Sequence, residues 1–210
     1  MDVIIDGQRG FEFNDDPSDV LTAVAEITEA LRQKGRAVLG VKVDGRTIAP
    51  DSIVPTLKDQ SLQEAGCLEV SSEDTLTLVN DALNEIQEVL PDLPEACHRL
   101  AEVFQGEAPE EGYAPFYQLA EIWRTLKLRE GQVADALDLD LDTLEITGEV
   151  VGRLHETLNR HLDEAAEALK RNDCVLLGDL LEYELAPKAE KEADIVAALR
   201  SQAKRQFGQT

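Results

Sequence analysis

Basic residues are scarce in this chain: 20 Lys and Arg stand against 43 Asp and Glu, a formal net charge of −23 over 210 residues. So acidic a surface repels phosphate backbones and anionic lipid headgroups, so neither nucleic acid nor a membrane surface is expected as a partner. Long apolar runs are missing as well. The longest are fragments such as AVLGV at 37–41 and CVLL at 174–177, far short of the roughly 18 to 20 residues a membrane span requires. The opening MDVIIDGQRG puts an acid second and lacks the apolar stretch of a secretory signal, which predicts a cytoplasmic protein. Cys67, Cys97 and Cys174 are odd in number, widely spaced and form no CxxC pair. That argues against a disulfide framework or a zinc site and leaves them as small core residues.

Catalytic motifs are also lacking. There is no G-x-S-x-G, P-loop or G-x-G-x-x-G. A di-iron bundle needs two E-x-x-H motifs facing inward, and the chain has one, from Glu95 to His98. Cys97 cannot pair with the adjacent His98, because neighbouring side chains on a helix diverge. His155 and His161 are six residues apart and do not stack on one helical face. No catalytic residue, cofactor or metal ligand is assigned, and the expectation is a protein that is not an enzyme.

What is present is enough apolar sequence, 43% of residues, for a packed core. VIIDGQRGFEF carries strand-forming residues on either side of Asp6-Gly7, a hairpin signal. DDPSDVLTAVAEITEALRQKG, with Val20, Leu21, Val24, Ile27 and Leu31 at helical spacing, predicts an amphipathic helix. AVLGVKVDGRTI is a second hairpin around Asp44-Gly45, and CLEVSS a fifth strand. This order within residues 1–72 resembles the β-grasp, or ubiquitin-like, fold, in which one helix covers one face of a mixed sheet. The resemblance implies a fold and no activity. The free Gly-Gly tail of sulfur carriers and conjugated modifiers is absent, since CLEVSS runs straight on into helical sequence.

From Ser72 the apolar period changes from two to about 3.6, which sets the expected boundary: a β-grasp-like domain over 1–72 and an acidic helical bundle over 73–210. Ser72 or Asp74 can cap a helix carrying Leu76, Val79, Leu83, Ile86, Val89 and Leu90. Further helices are expected over about 94–104, 115–127 and 144–172, and over 173–204 with a kink or restart at Pro187. Together they predict an α+β chain whose second part is an antiparallel bundle of about five helices. Residues 1–72 hold 13 acids and 7 bases, the remainder 30 and 13, so the bundle carries most of the charge.

The stretch LDLDLDTLEITGE, 137–149, matches an EF-hand loop at Asp138, Asp140, Asp142 and Glu149. It departs at Thr143, where the loop needs Gly for a sharp turn, and at Glu145, where an apolar residue meets a sister loop. The favoured reading is a connection between helices in which Asp142 and Glu145 form a capping box. QVADALDLDLDTLE also has the spacing of a helix-turn-helix, but its acids would face the DNA.

Asn172, Asp173, Val175, Leu176, Asp179, Leu180, Leu181, Glu182, Tyr183, Glu184 and Leu185 resemble the N-D-x-V-L-x-x-D-L-L-E-Y-E-L helix of a group of bacterial proteins of unassigned function. That resemblance implies a bacterial accessory or regulatory protein. Leucines surround this helix on an unusually wide arc, so it is either central to the bundle or in contact with another chain; Leu177, Leu181, Tyr183 and Glu184 are the expected interaction surface. The expected function is protein–protein interaction, as an adaptor or regulator with an unknown protein partner and a salt-strengthened homodimer. The alternative is a calcium- or metal-binding protein, or an enzyme, with its site at 138–149.

Overall fold

The computed structural model describes residues 1–14, 16–58 and 60–207. It is an α+β structure that divides into two compact units, Met1–Leu78 and Val79–Thr210.

The first unit is a five-stranded mixed sheet in the order β2-β1-β5-β3-β4. Strand β1 is Asp2–Ile5, β2 Gln8–Arg9, β3 Arg36–Val43, β4 Arg46–Ile48 and β5 Cys67–Asp74. β1 runs parallel to β5, with Val3 opposite Leu68, and the other pairs are antiparallel. Both hairpin turns read from the sequence are present. Asp6 and Gly7, and likewise Asp44 and Gly45, all take positive φ, the backbone that a two-residue turn matched to strand twist demands. Helix α1, Val20–Arg32, starts later than the first acids suggest because Asp19 is the residue that caps it, accepting from the Thr22 amide at 2.7 Å. Its Val20, Ala23, Val24, Ile27 and Leu31 form one core with Val41, Val43, Leu68 and Val70 of the sheet and Leu57 of the short helix α2, Ile53–Leu57. Asp6 ties the edge hairpin to the centre. It accepts from the Ser72 amide and hydroxyl, each at 2.7 Å, and from Arg36 at 3.0 Å.

Strand β5 extends past Ser72 to Asp74, whose carboxylate then accepts from Thr77 N at 2.8 Å and starts helix α3, Thr75–Val89. The second unit continues with α4 Leu93–Gln105, α5 Tyr113–Ala136, a small hairpin of β6 Glu145–Ile146 and β7 Glu149–Val150, α6 Val151–Lys170, α7 Cys174–Asp179, a π-helical segment Leu180–Leu185, and α8 Ala186–Phe207. Helix α4 packs against α5, α7, the π segment and α8, through Leu93, Cys97, Leu100, Ala101 and Phe104. Helix α5 runs well beyond the expected end at Lys127, because Glu130, Val133 and Ala134 continue its buried face. Leu144 lies outside any helix, and α6 begins only at Val151. Pro187 is the second residue of α8 and has no N–H to give the preceding turn; the backbone widens into its π segment just upstream.

Candidate functional site

The acidic stretch is neither a capping box nor a calcium loop in shape. Asp138 takes positive φ just after α5. Asp140 folds over its own backbone, its carboxylate accepting from Asp142 N at 2.9 Å and its carbonyl from Thr143 N at 3.1 Å and Leu144 N at 3.0 Å. Glu145, the expected second half of the box, is instead in β6. Thr147 and Gly148 make a two-residue turn with φ of 52° and 86°, and Glu149 reaches across to Lys191 of α8. The first amides of α6 are held by main-chain carbonyls, Val151 N on Leu144 and Gly152 N on Leu141. Among the described residues, no group of three or more His, Cys, Asp and Glu is arranged to hold a metal ion.

The expected interaction surface is divided by the fold. Leu177 and Leu181 have no exposed area, lying with Leu180 and Leu185 against the rest of the unit, so their place on a surface is corrected to the core. Tyr183 is 64% exposed, and Val175 and Leu176 are exposed as well. Glu184 is half-buried, with Lys188 at 3.3 Å and His161 Nδ1 at 3.2 Å. Burial, then the Lys188 charge, lower the His161 pKa. The residues around this helix have structural roles. Asn172 takes the left-handed conformation that ends α6, and Asp173 caps α7 through the Leu176 amide at 3.1 Å. Cys97 is buried, which pushes its thiol up to about 12, while its neighbour His98 is exposed.

The most unusual chemistry is a buried cluster that no motif in the sequence announces. Trp123, Lys127 and Glu130 sit on one face of α5, His155 comes from α6 and Glu192 from α8. Lys127 Nζ is 2.6 Å from Glu192 and 3.1 Å from Glu130, and lies 5.7 Å from the Trp123 ring centroid. Trp123 and Glu130 are fully buried and Glu192 nearly so. Burial, then the neighbouring Glu130 charge, push the Glu192 carboxyl up to about 8 against the opposing pull of Lys127. Burial, then Lys127, hold His155 down to about 4. Its Nε2 lies 3.1 Å from Glu130 but out of alignment for a hydrogen bond. Near neutral pH burial therefore keeps a proton on Glu192 and keeps one off His155. Lys127 occupies the place between the carboxylates that a cation would take, so the arrangement joins three helices and stores a proton.

A signal for it was in the sequence. Glu130 falls seven residues after Trp123 on the apolar stripe of α5, and Glu192 falls between Ala189 and Ile195 on that of α8. Charged residues at core positions need buried partners.

The fold and cluster define a strongly acidic helical unit attached to a small mixed-sheet unit. A family model described as a domain of unknown function (DUF8042) matches residues 81–193, more than half of the chain, which therefore belongs to that family. The matched span contains all five residues of the buried cluster. No curated protein and no solved structure matches the chain.

Proposed function

We propose that the protein is a non-enzymatic interaction module, an adaptor or regulatory protein whose helical unit binds a partner protein. The observation that carries this reading is the set of large apolar side chains left on the surface of that unit, among them Val89, Tyr117, Ile122, Val175, Leu176 and Tyr183. Of these, Val89 and Ile122 line one depression together, and adjoining apolar exposure on a charged fold marks a place that another surface covers. We read the first unit as a β-grasp domain, on the support of a helix covering one face of a mixed sheet, β1 parallel to the central β5, and a hairpin at each edge. The resemblance over Asn172–Leu185 supports a bacterial, cytoplasmic setting.

Crosslinking of the full chain in its native host tests the function. One discrete protein crosslinked to wild type, and lost when Val89, Ile122, Val175 and Tyr183 are together made Ser, is the expected result. Crosslinks that are absent, or unchanged in that variant, overturn it.

A further inference from the structure

Independently of that interaction reading, we propose that a pocket on the first unit binds a small aromatic phosphomonoester, with Arg9, Lys34 and Arg36 receiving the phosphate and Phe11 the ring. The pocket, of about 440 Å³, lies between the β1–β2 hairpin and the end of α1. Its apolar lining is Ile5, Phe11, Ala30 and Leu31, and its charged lining is three bases and one acid, Asp6. Residues 1–72 hold only 7 bases against 13 acids, so nearly half of the positive charge of that span lines this one place.

Asp6 is already committed to the fold. Its Oδ1 accepts from the Ser72 amide, and its Oδ2 from the Ser72 hydroxyl and from Arg36 Nη2. The same contacts fix Arg36, whose Nε donates to Ser72 Oγ at 2.8 Å and whose Nη2 donates to the Ser72 carbonyl at 2.9 Å. Each of these bonds uses Nε or Nη2, so Nη1 remains to a ligand on a guanidinium that is held in place beforehand, which lowers the ordering cost of binding. Among the described residues Lys34 has no ion-pair partner, and Arg9 meets only Asp2, at 3.6 Å between two exposed side chains, a contact worth little. At the adjoining end of α1 the carbonyls of Glu29, Leu31 and Arg32 accept from the amides of Gln33, Lys34 and Gly35, so they do not compete for these cations.

The lining selects the ligand. Three cations from three separate segments offer donors to the three oxygens of a phosphomonoester, and their charge matches a dianion. Phe11 is half-buried, with its ring in edge contact with Phe13 at 5.1 Å between centroids, and stands with Ile5 and Leu31 as an apolar seat for a flat ring. The chain around the pocket limits size. Its −23 charge is screened beyond about 8 Å at physiological salt, so the local cations govern a head seated among them, whereas a polyanion running over the surface would meet the acids. The volume falls within the ordinary range for small-molecule sites.

Isothermal titration calorimetry of the full chain with phenyl phosphate tests this, with phenol and inorganic phosphate as the two halves of the ligand. The expected result is saturable one-site binding of phenyl phosphate, at least roughly tenfold tighter than either half. Arg9→Gln with Lys34→Gln should weaken it by roughly tenfold or more. Lys42→Gln with Arg46→Gln removes the same charge from the same unit outside the pocket and should leave it unchanged. All four side chains are exposed, so both variants should fold, which circular dichroism checks. Should the first variant fail to fold, amide shifts of the wild type replace it: ligand-induced shifts at Gly10, Phe11 and Lys34 support the pocket, and shifts confined elsewhere overturn it. No saturable binding, equal affinity for inorganic phosphate, or equal loss in the two double variants would also overturn it. The host crosslink is read at residues of the other unit, so the two readings stand or fall separately.

Discussion

Glu192 is the residue whose burial has the clearest thermodynamic consequence. Its folded pKa of about 8 lies above the ordinary carboxylate value of 4.5, so the folded state holds this proton more tightly than the unfolded chain does. Its contribution is fully present below about pH 4.5 and is lost as pH rises through 8. His155 acts in the opposite direction. With a folded value of about 4 against the usual 6.5, its contribution is complete above the upper value and lost as pH falls toward the lower one. The two trends oppose each other up to about pH 6.5, so urea unfolding between pH 5 and 9 should show wild-type stability declining from there to about pH 8, by on the order of 2 kcal/mol, and level above it. Glu192→Gln should flatten that decline and be the more stable protein at pH 9; a parallel decline in the variant would place the titrating group elsewhere. The buried leucines give a second residue-scale contrast. Leu177 has no exposed area, so Leu177→Ala should cost about 2 to 5 kcal/mol and Leu177→Glu should prevent folding. Tyr183→Glu, on a side chain 64% exposed, should stay within about 0.5 kcal/mol of wild type. Denaturation midpoints of the three variants decide it.

Among the elements, the junction of the acidic loop with α6 is the tightest. A Cβ at Gly152 would run into the Asp142 carboxylate and come within 3.0 Å of its Cα, so the carboxylate would have to move and the loop backbone give way slightly. Gly152→Ala should displace the loop and lower the melting midpoint. Gly152→Ala with Asp142→Gly should recover part of the loss, since the oxygen in closest approach is then gone; no recovery would mean that the clash is with the backbone. The same junction shows where sequence reading succeeds and where it stops. Asp-Gly pairs at 6–7 and 44–45 announce their turns because both residues accept positive φ readily, and Asp74 announces a cap by local chemistry. Thr147-Gly148 makes the same kind of turn, but a β-branched residue at positive φ is not a signal one looks for. Leu144 and Leu141 have helical spacing with α6, yet their carbonyls serve as its first acceptors. The wide leucine arc of 175–185 was legible as a helix either central to the unit or in contact with another chain. Which leucines faced inward was not, because the π segment advances the helical phase in a way no 3.6-residue pattern contains. The cluster of Trp123, Lys127, Glu130, His155 and Glu192 needed three helices to meet, so the sequence showed only its ingredients.

At the scale of the whole molecule, the two units carry separate cores, and the aromatic residues happen to make them separately observable. Every member of the first core lies between Val3 and Val70. Trp123, the single tryptophan, and all three tyrosines, at 113, 117 and 183, lie in the second unit. Tryptophan fluorescence therefore reports on the helical unit alone, while far-ultraviolet circular dichroism sees both. The buried carboxyl couples to this directly. Ionising Glu192 puts a negative charge at a buried place inside the helical unit and none in the sheet unit, so raising the pH should weaken one part of the chain selectively. On unfolding by urea at pH 6, the two probes should follow their own transitions or overlap, according to the relative stability of the cores. At pH 9 the fluorescence transition should move to lower urea, and the circular dichroism curve should contain one step that has moved with it and one that has not. Glu192→Gln should abolish the separation gained between pH 6 and 9. If both probes instead shift together as one transition at both pH values, the sheet and the helices unfold as a single cooperative structure, and the division into independent cores is wrong.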